Sequence, residues 1–258
     1  MESSDHDSPS KLLRDLRVPV GLGVAVIVGL AWYVTWTSSD LTMTLMAPAT
    51  IGSTGLALFF ALNIVMMVAM MLPSALPMVL AYYSMTRLEN GRPTKPADLV
   101  GTVAFLIPYI LVWGLFGVLA LFGLMALGRV GSMLAGPTLP ISAATLVAAG
   151  LWQVTRTKEI CLSHCTSPMG FMLHHWRSGR IGAIRMGFRH SLYCIGCCWL
   201  MMLVLFISGS MSLAWMGGLS VAIFVEKLGV RTVLFSRVIG IVLVALGFVS
   251  ALRILVPM

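Results

Sequence analysis

Seven stretches of the chain are long, apolar and almost free of charge, and short polar or basic segments separate them. They lie at about residues 19–37, 56–82, 100–127, 138–155, 190–208, 212–226 and 233–256. A helix needs about 20 apolar residues to cross a bilayer. The pattern therefore predicts an all-α, polytopic transmembrane helix bundle of about seven spans. Six spans remain possible, because the turns around the last two stretches are tight.

The remaining segments predict a tail and one long loop attached to a single domain. Residues 1–18 are polar and are expected to form a cytoplasmic N-terminal tail. The apolar run behind them continues to Trp36 without a small-residue cleavage site, so it is expected to be a retained first span. Residues 19–258 then form one transmembrane domain, with a cytoplasmic loop at 156–189 that bears cysteine and histidine.

Composition agrees with a membrane protein, and the distribution of charge orients it. Of the 258 residues 59% are hydrophobic and 10% are charged, whereas soluble domains average about 25% charged residues. With seven spans, 15 of the 17 Lys and Arg residues fall on one side of the bilayer. Their clusters lie at 11–17, 87–95, 156–158, 177–189 and 227–237. Basic loops mark the cytoplasmic side, which predicts an integral protein of the plasma (inner) membrane with its N-terminus inside and its C-terminus outside.

The net charge of +8 thus follows from topology, and no nucleic-acid partner is expected. The expected partner is the lipid bilayer itself, together with other membrane subunits or a metal donor or acceptor protein.

All five cysteines fall near the predicted cytoplasmic face, two in the long loop and three at the start of the fifth span. Thiols in that compartment stay reduced, so a structural disulfide is disfavoured. Helical periodicity places one stripe of sulfur and imidazole along the fifth span. The stripe consists of His190, Cys194, Cys197, Cys198 and Met201, with Met202 at its edge.

The second span carries a matching face of methionines. Met70 and Met71 lie about as deep from the cytoplasmic end as Met201 does on the fifth span. Thiolate and thioether ligands select Cu(I), whereas zinc rarely uses methionine. Copper is therefore the expected cofactor, and zinc in a tetrahedral site of cysteines with His190 is the alternative.

These observations define a candidate metal site. The predicted ligands are Cys161, Cys165, Cys194, Cys197, Cys198, His190 and His164, and possible secondary ligands are Met70, Met71, Met201, Met202 and Glu226. Two simpler interpretations remain open. Any single methionine is better explained as core filler, and Glu226 can be explained as the partner of Lys227 or Arg231.

Five blocks of sequence have a recognisable combination of residues: AMMLPSALP, K-x2-CLSHCTSPMGFML-x2-WRSG, GFRHSLYCIGCCWLMM, SGSMSLAWM and VEKL. Through them the chain from about residue 56 to 228 resembles the domain-of-unknown-function 2182 family, described as predicted metal-binding integral membrane proteins. The resemblance implies a helical membrane fold and a metal site at the cysteines, and it implies no reaction. Ser191 departs from it, since a glycine is expected after the histidine.

The preferred hypothesis is a membrane protein that binds a soft metal, most readily copper, near its cytoplasmic face for metal handling or delivery to a partner. Two alternatives remain open, a copper-dependent membrane oxidoreductase or a subunit of one, and a thiol-exchange protein. Transport is open too. The chain has no phosphate-binding loop, no nucleophile elbow and no H-E-x-x-H motif, so whether it is an enzyme is undecided.

Overall fold

The computed structural model describes residues 9–45, 52–89, 92–93, 96, 98–133, 138–207, 213–229 and 231–255. This part of the chain is almost entirely helical, which confirms the all-α prediction. Its helices are α1 (Pro9–Thr37), α2 (Ser39–Leu45), α3 (Ser53–Met85), α4 (Leu99–Met133), α5 (Thr138–Trp152), α6 (Arg156–Thr166), α7 (Pro168–His175), α8 (Gly179–Ile207), α9 (Leu213–Leu228) and α10 (Thr232–Leu255). Two-residue strands, β1 (Leu88–Glu89) and β2 (Arg92–Pro93), pair antiparallel between α3 and α4.

Five helices within the described residues are long and apolar enough to cross a membrane, so the chain is an integral membrane protein. They lie at Val18–Thr37, Ser53–Met85, Leu99–Ala126, Gly179–Ile207 and Thr232–Leu252. The other two predicted spans correspond to α5 and α9, which have 15 and 16 residues, against about 20 for a full crossing. The count of seven is not confirmed and stays a prediction.

Two helices begin earlier than the apolar pattern indicated. α1 starts at Pro9, inside the predicted polar tail, whose residues 1–8 lie outside the described part of the chain. α8 starts at Gly179, so the C-terminal third of the predicted 156–189 loop is helix. The first residues of α8 include three arginines and are nevertheless helical. A helix needs apolar residues only on the face that it buries, so the polar positions of this segment do not end it.

The long helices pack closely where glycines remove side chains from the interface. A Cβ at Gly187 of α8 would lie 2.9 Å from the Pro108 ring of α4, and the later residues Cys194 and Tyr109 are also in contact. The two helices therefore run in the same direction and start at the same end of the bundle. α5 and α10 run antiparallel, since Gly150 faces Gly240 and Gly247 faces Ala143. The outer surfaces of the long helices are apolar, which suits contact with lipid.

α6 and α7 form a short helical hairpin over the end of the bundle at which α8 begins. Thr155 caps α6 by accepting a hydrogen bond from the backbone N–H of Lys158. Pro168 starts α7, a position where its missing N–H costs nothing. Phe171 and Met172 of α7 are buried, and Cys161 of α6 packs against Gly196 of α8. The hairpin therefore lies directly against the cysteine-bearing helix.

Candidate functional site

The structure brings the two groups of cysteines together. Cys194, Cys197 and Cys198 lie on the buried face of α8, and Cys165 is buried on the facing side of α6. The Cys165 thiol is within hydrogen-bonding reach of the Cys194 and Cys197 side chains. Cys161 is half-buried and interacts electrostatically with Cys197. All five cysteines are free thiols. Because these contacts bring together sulfur atoms from α6 and α8, the five cysteines are here called the sulfur cluster.

Cys194 is the most heavily contacted member of the sulfur cluster. The Lys227 ammonium of α9 donates a hydrogen bond to its sulfur at 2.9 Å, and the Tyr109 hydroxyl of α4 lies 3.3 Å from it. The thiols of Cys197 and Cys198 donate to its backbone carbonyl at 3.1 and 2.9 Å. Side chains of three other helices, α4, α6 and α9, thus reach this one sulfur of α8, and a buried ammonium supplies positive charge beside it.

Both cysteines of α6 have a raised pKa. The pKa of Cys165 is raised well above that of an ordinary thiol, first because it hydrogen-bonds to Cys194 and Cys197 and second because it is buried. Burial also raises the pKa of Cys161, and the neighbouring Cys197 adds to the effect. A metal binds the thiolate, so a cation that enters here must displace these protons.

His190 lies one helical turn before Cys194 and is 3% exposed. Among the described residues neither of its ring nitrogens has a hydrogen-bond partner. Its ring is enclosed by Phe105, Tyr109 and Phe171, with centroid distances of 6.0, 5.4 and 5.9 Å. A buried polar group without a partner costs about 1–3 kcal/mol, and a nitrogen ligand to a metal would remove that cost.

His164 is not brought to the sulfur cluster. Successive residues of a helix point about 100° apart, so His164 leaves the face of α6 that carries Cys165 and packs on α8 beside the cluster. Its ring stacks on Tyr193 at a centroid distance of 4.2 Å, and its Nδ1 contacts the Ile160 carbonyl at 2.9 Å. It lines an open cavity of about 260 Å³ together with His174 and His175.

The four candidate methionines are all buried in the same apolar core as the cysteines. They are Met70 and Met71 of α3 and Met201 and Met202 of α8. The Met201 sulfur accepts a hydrogen bond from the side-chain amide of Gln153, the residue after α5, at 2.9 Å. Burial in one core leaves a direct contact between the two methionine faces a prediction, and Met201 directs its sulfur toward Gln153.

Glu226 takes part in a buried ion pair with a residue that the sequence did not suggest. Its carboxylate lies 2.5 Å from the Lys158 ammonium of α6, with the two side chains 2% and 1% exposed. The Ser236 hydroxyl of α10 donates to the same carboxylate. The simpler interpretation, an ion pair with Lys227 or Arg231, is replaced by one with Lys158, and Lys227 contacts Cys194. The ion pair connects the helix that bears Cys165 to α9 and α10.

Residues 60–250 match the model of a family described as PpoB2, copper chaperone. The chain belongs to this copper chaperone family. The matched region includes every cysteine and every candidate ligand named above. No curated protein and no solved structure matches the chain. Membership supports a role in copper handling.

The residues present fit Cu(I) in their chemistry, although no group of three or more His, Cys, Asp or Glu side chains among the described residues is already arranged to hold a metal ion. Sulfur and imidazole are the ligand types that Cu(I) prefers. The cluster supplies Cys165, Cys194 and Cys197 in mutual contact, and the unpartnered imidazole of His190 lies beside them. Binding would replace the present hydrogen bonds between sulfurs, and the Lys227 contact, with bonds to the metal.

Proposed function

We propose that the protein is a membrane copper chaperone that takes up Cu(I) on the sulfur cluster and passes it to a partner protein. The observation that carries the proposal is the contact of Cys165 on α6 with Cys194 and Cys197 on α8. Membership of a copper chaperone family supplies the identity of the cargo. Cys165, Cys194 and Cys197 are the proposed main ligands, and His190 is the proposed nitrogen ligand.

Copper would move by ligand exchange. Each incoming bond between copper and a cysteine sulfur replaces an S–H bond, the proton leaves to solvent, and one ligand of the donor dissociates from the metal. The copper stays Cu(I) throughout, so no electron is transferred. Cu(I) accepts two or three soft ligands, and a transient complex between donor and acceptor sulfurs therefore needs no ordered water or carboxylate.

Cys161 is the proposed first contact for the incoming ion. It is the one cysteine of the five that is only half-buried, and it interacts with Cys197 of the buried set. An ion bound at Cys161 would next meet Cys197 and Cys165. The α6–α7 hairpin thus supplies both a ligand and the cover of the site.

The two short apolar helices are proposed to cross the membrane as well, giving seven crossings. α4 and α8 start at the same end of the bundle, so the chain has to return between them, and α5 is the apolar helix available for this return. α9 runs in the direction of α3, because Ser220 contacts Met70 and Lys227 contacts Ser74. With the basic loops inside, the sulfur cluster then lies toward the cytoplasm of an inner membrane, where thiols stay reduced.

Copper content of the purified full chain tests the proposal. Protein purified with Cu(I) under reducing conditions is expected to retain about one or two equivalents of copper, and Cys194→Ser/Cys197→Ser to lose them. Ser163→Ala, an exposed hydroxyl on α6, is the matched control and should retain copper. Unchanged copper in the double cysteine variant would refute the proposal.

A further inference from the structure

A cavity separate from the sulfur cluster opens between α4 and the first half of α8. Its volume is about 450 Å³. Three arginines line it, Arg177, Arg185 and Arg189. His175 of α7 is the other polar lining residue, and apolar side chains line the rest, notably Pro108, Phe188 and Leu192. None of the lining residues, all of which the structure describes, is acidic.

The backbone builds this cavity at specific positions. Gly179 adopts a φ of +80°, a conformation that favours glycine, and so turns the chain from α7 into α8. A Cβ at Gly182 would lie 2.9 Å from the Arg177 side chain, so the turn packs tightly on α8. The Arg177 backbone N–H also donates to the Met186 sulfur at 3.4 Å. Arg177 is therefore held opposite the arginines of α8.

The apolar part of the cavity continues onto the outer surface of the bundle. Phe188 and Leu192 are 47% and 51% exposed, one helical turn apart on a membrane-spanning helix. A phosphate or sulfate in solution would gain nothing from such a surface, whereas an acyl chain would be stabilised by it. Positive charge beside a lipid-facing apolar groove complements a molecule with an anionic head and an apolar tail.

We propose that this cavity binds one anionic phospholipid, with the phosphate at Arg177, Arg185 and Arg189 and an acyl chain along Phe188 and Leu192. Arginine suits the role because its planar guanidinium donates paired hydrogen bonds to phosphate oxygens. The site does not use the sulfur cluster, so it goes beyond copper handling. A bound lipid would fix the α7–α8 turn against α4.

Native mass spectrometry of the full chain in detergent micelles tests the proposal with three probes. These are phosphatidylglycerol as the anionic lipid, phosphatidylcholine as the zwitterionic lipid and glycerol phosphate as a soluble head without acyl chains. One phosphatidylglycerol per chain is expected to bind more tightly than either other probe. Binding should weaken as salt is raised, because the head contact is electrostatic.

Variants then separate the cavity from the general basic surface. Arg185→Gln/Arg189→Gln is expected to weaken phosphatidylglycerol binding about 25-fold, from about fivefold for each arginine near an anionic headgroup. Arg156→Gln/Arg180→Gln removes two exposed arginines outside the cavity and should leave binding unchanged. Equal loss in both pairs, or glycerol phosphate binding as tightly as the lipid to the unmodified chain, would overturn the proposal. The comparison of glycerol phosphate with the lipid uses only the unmodified chain, so it tests the proposal even if a variant fails to fold.

Discussion

Replacing Lys158 with methionine is expected to destabilise the protein and to expose the cysteines of α6. The Lys158 ammonium lies 2.5 Å from the Glu226 carboxylate, and the two side chains are 1% and 2% exposed. In Lys158→Met the carboxylate stays buried, keeps only the hydrogen bond from Ser236 and loses its counter-ion.

The size of the effect follows from the burial of the ion pair. At 2.5 Å the gross attraction is about 7 kcal/mol with an effective dielectric constant of about 20. Desolvation of both groups offsets much of that attraction. Removing one partner alone leaves an uncompensated buried charge and costs about 3–5 kcal/mol. Lys158→Met/Glu226→Met leaves no charge behind, so it is expected to recover most of the loss.

The consequence for the site follows from helix geometry. Cys165 lies two turns after Lys158 on the same face of α6, so the ion pair holds that face on the bundle. If the pair is broken, local opening of α6 becomes more frequent and Cys165 becomes reactive. Glu159, the next residue, is exposed and provides a matched control as Glu159→Gln.

Two measurements check the prediction on the full chain in detergent micelles. The free energy of unfolding is obtained from denaturant titration, and alkylation of Cys165 by N-ethylmaleimide is followed by mass spectrometry. Lys158→Met should react at least about tenfold faster at Cys165, while the double variant and Glu159→Gln should stay near the unmodified protein. A loss of stability below about 1 kcal/mol, or a double variant no more stable than the single one, would refute the reasoning.

Three further predictions concern other parts of the bundle. Because the pKa of Cys161 is raised, its thiolate should appear only at higher pH than that of free cysteine. The rate of Cys161 alkylation by iodoacetamide, followed against pH, measures this pKa, and a midpoint at or below that of free cysteine would contradict the prediction. His190→Phe should leave the free energy of unfolding unchanged or raise it, since the buried imidazole has no described partner, and should lower copper retention; lost stability with unchanged copper would show a structural role instead. Gly150→Val should cost about 1–3 kcal/mol of stability by overpacking α5 against α10, whereas Gly123→Ala, with open space around it, should not; equal thermal stability of the two variants would contradict the packing.

The sequence predicted those parts of the fold that follow from local pattern. Apolar runs located the five long helices, and the 3.6-residue period placed Cys194, Cys197 and Cys198 on one face. It did not predict where α1 and α8 begin, because a helix extends through polar residues as long as its backbone hydrogen bonds are made.

The contacts between helices lay beyond sequence pattern. Tyr109 lies in an uninterrupted apolar run that gives no sign of its contact with Cys194. Lys158 precedes the first cysteine by three residues, but nothing local pairs it with Glu226. His164 was grouped with the cysteines by proximity in sequence, and helix rotation separates it from them. Such differences arise because periodicity shows which residues share one face of a helix, but it does not show which other helix packs against that face.

The central claim is that cysteines from α6 and α8 hold one copper ion between them. X-ray absorption at the copper edge of the Cu(I)-loaded full chain tests it directly, with the unmodified protein compared to Cys165→Ser. We expect a ligand shell dominated by two or three sulfurs, and the loss of one sulfur from that shell in the variant. A shell of nitrogen and oxygen ligands, or the same number of sulfurs in both proteins, would contradict it.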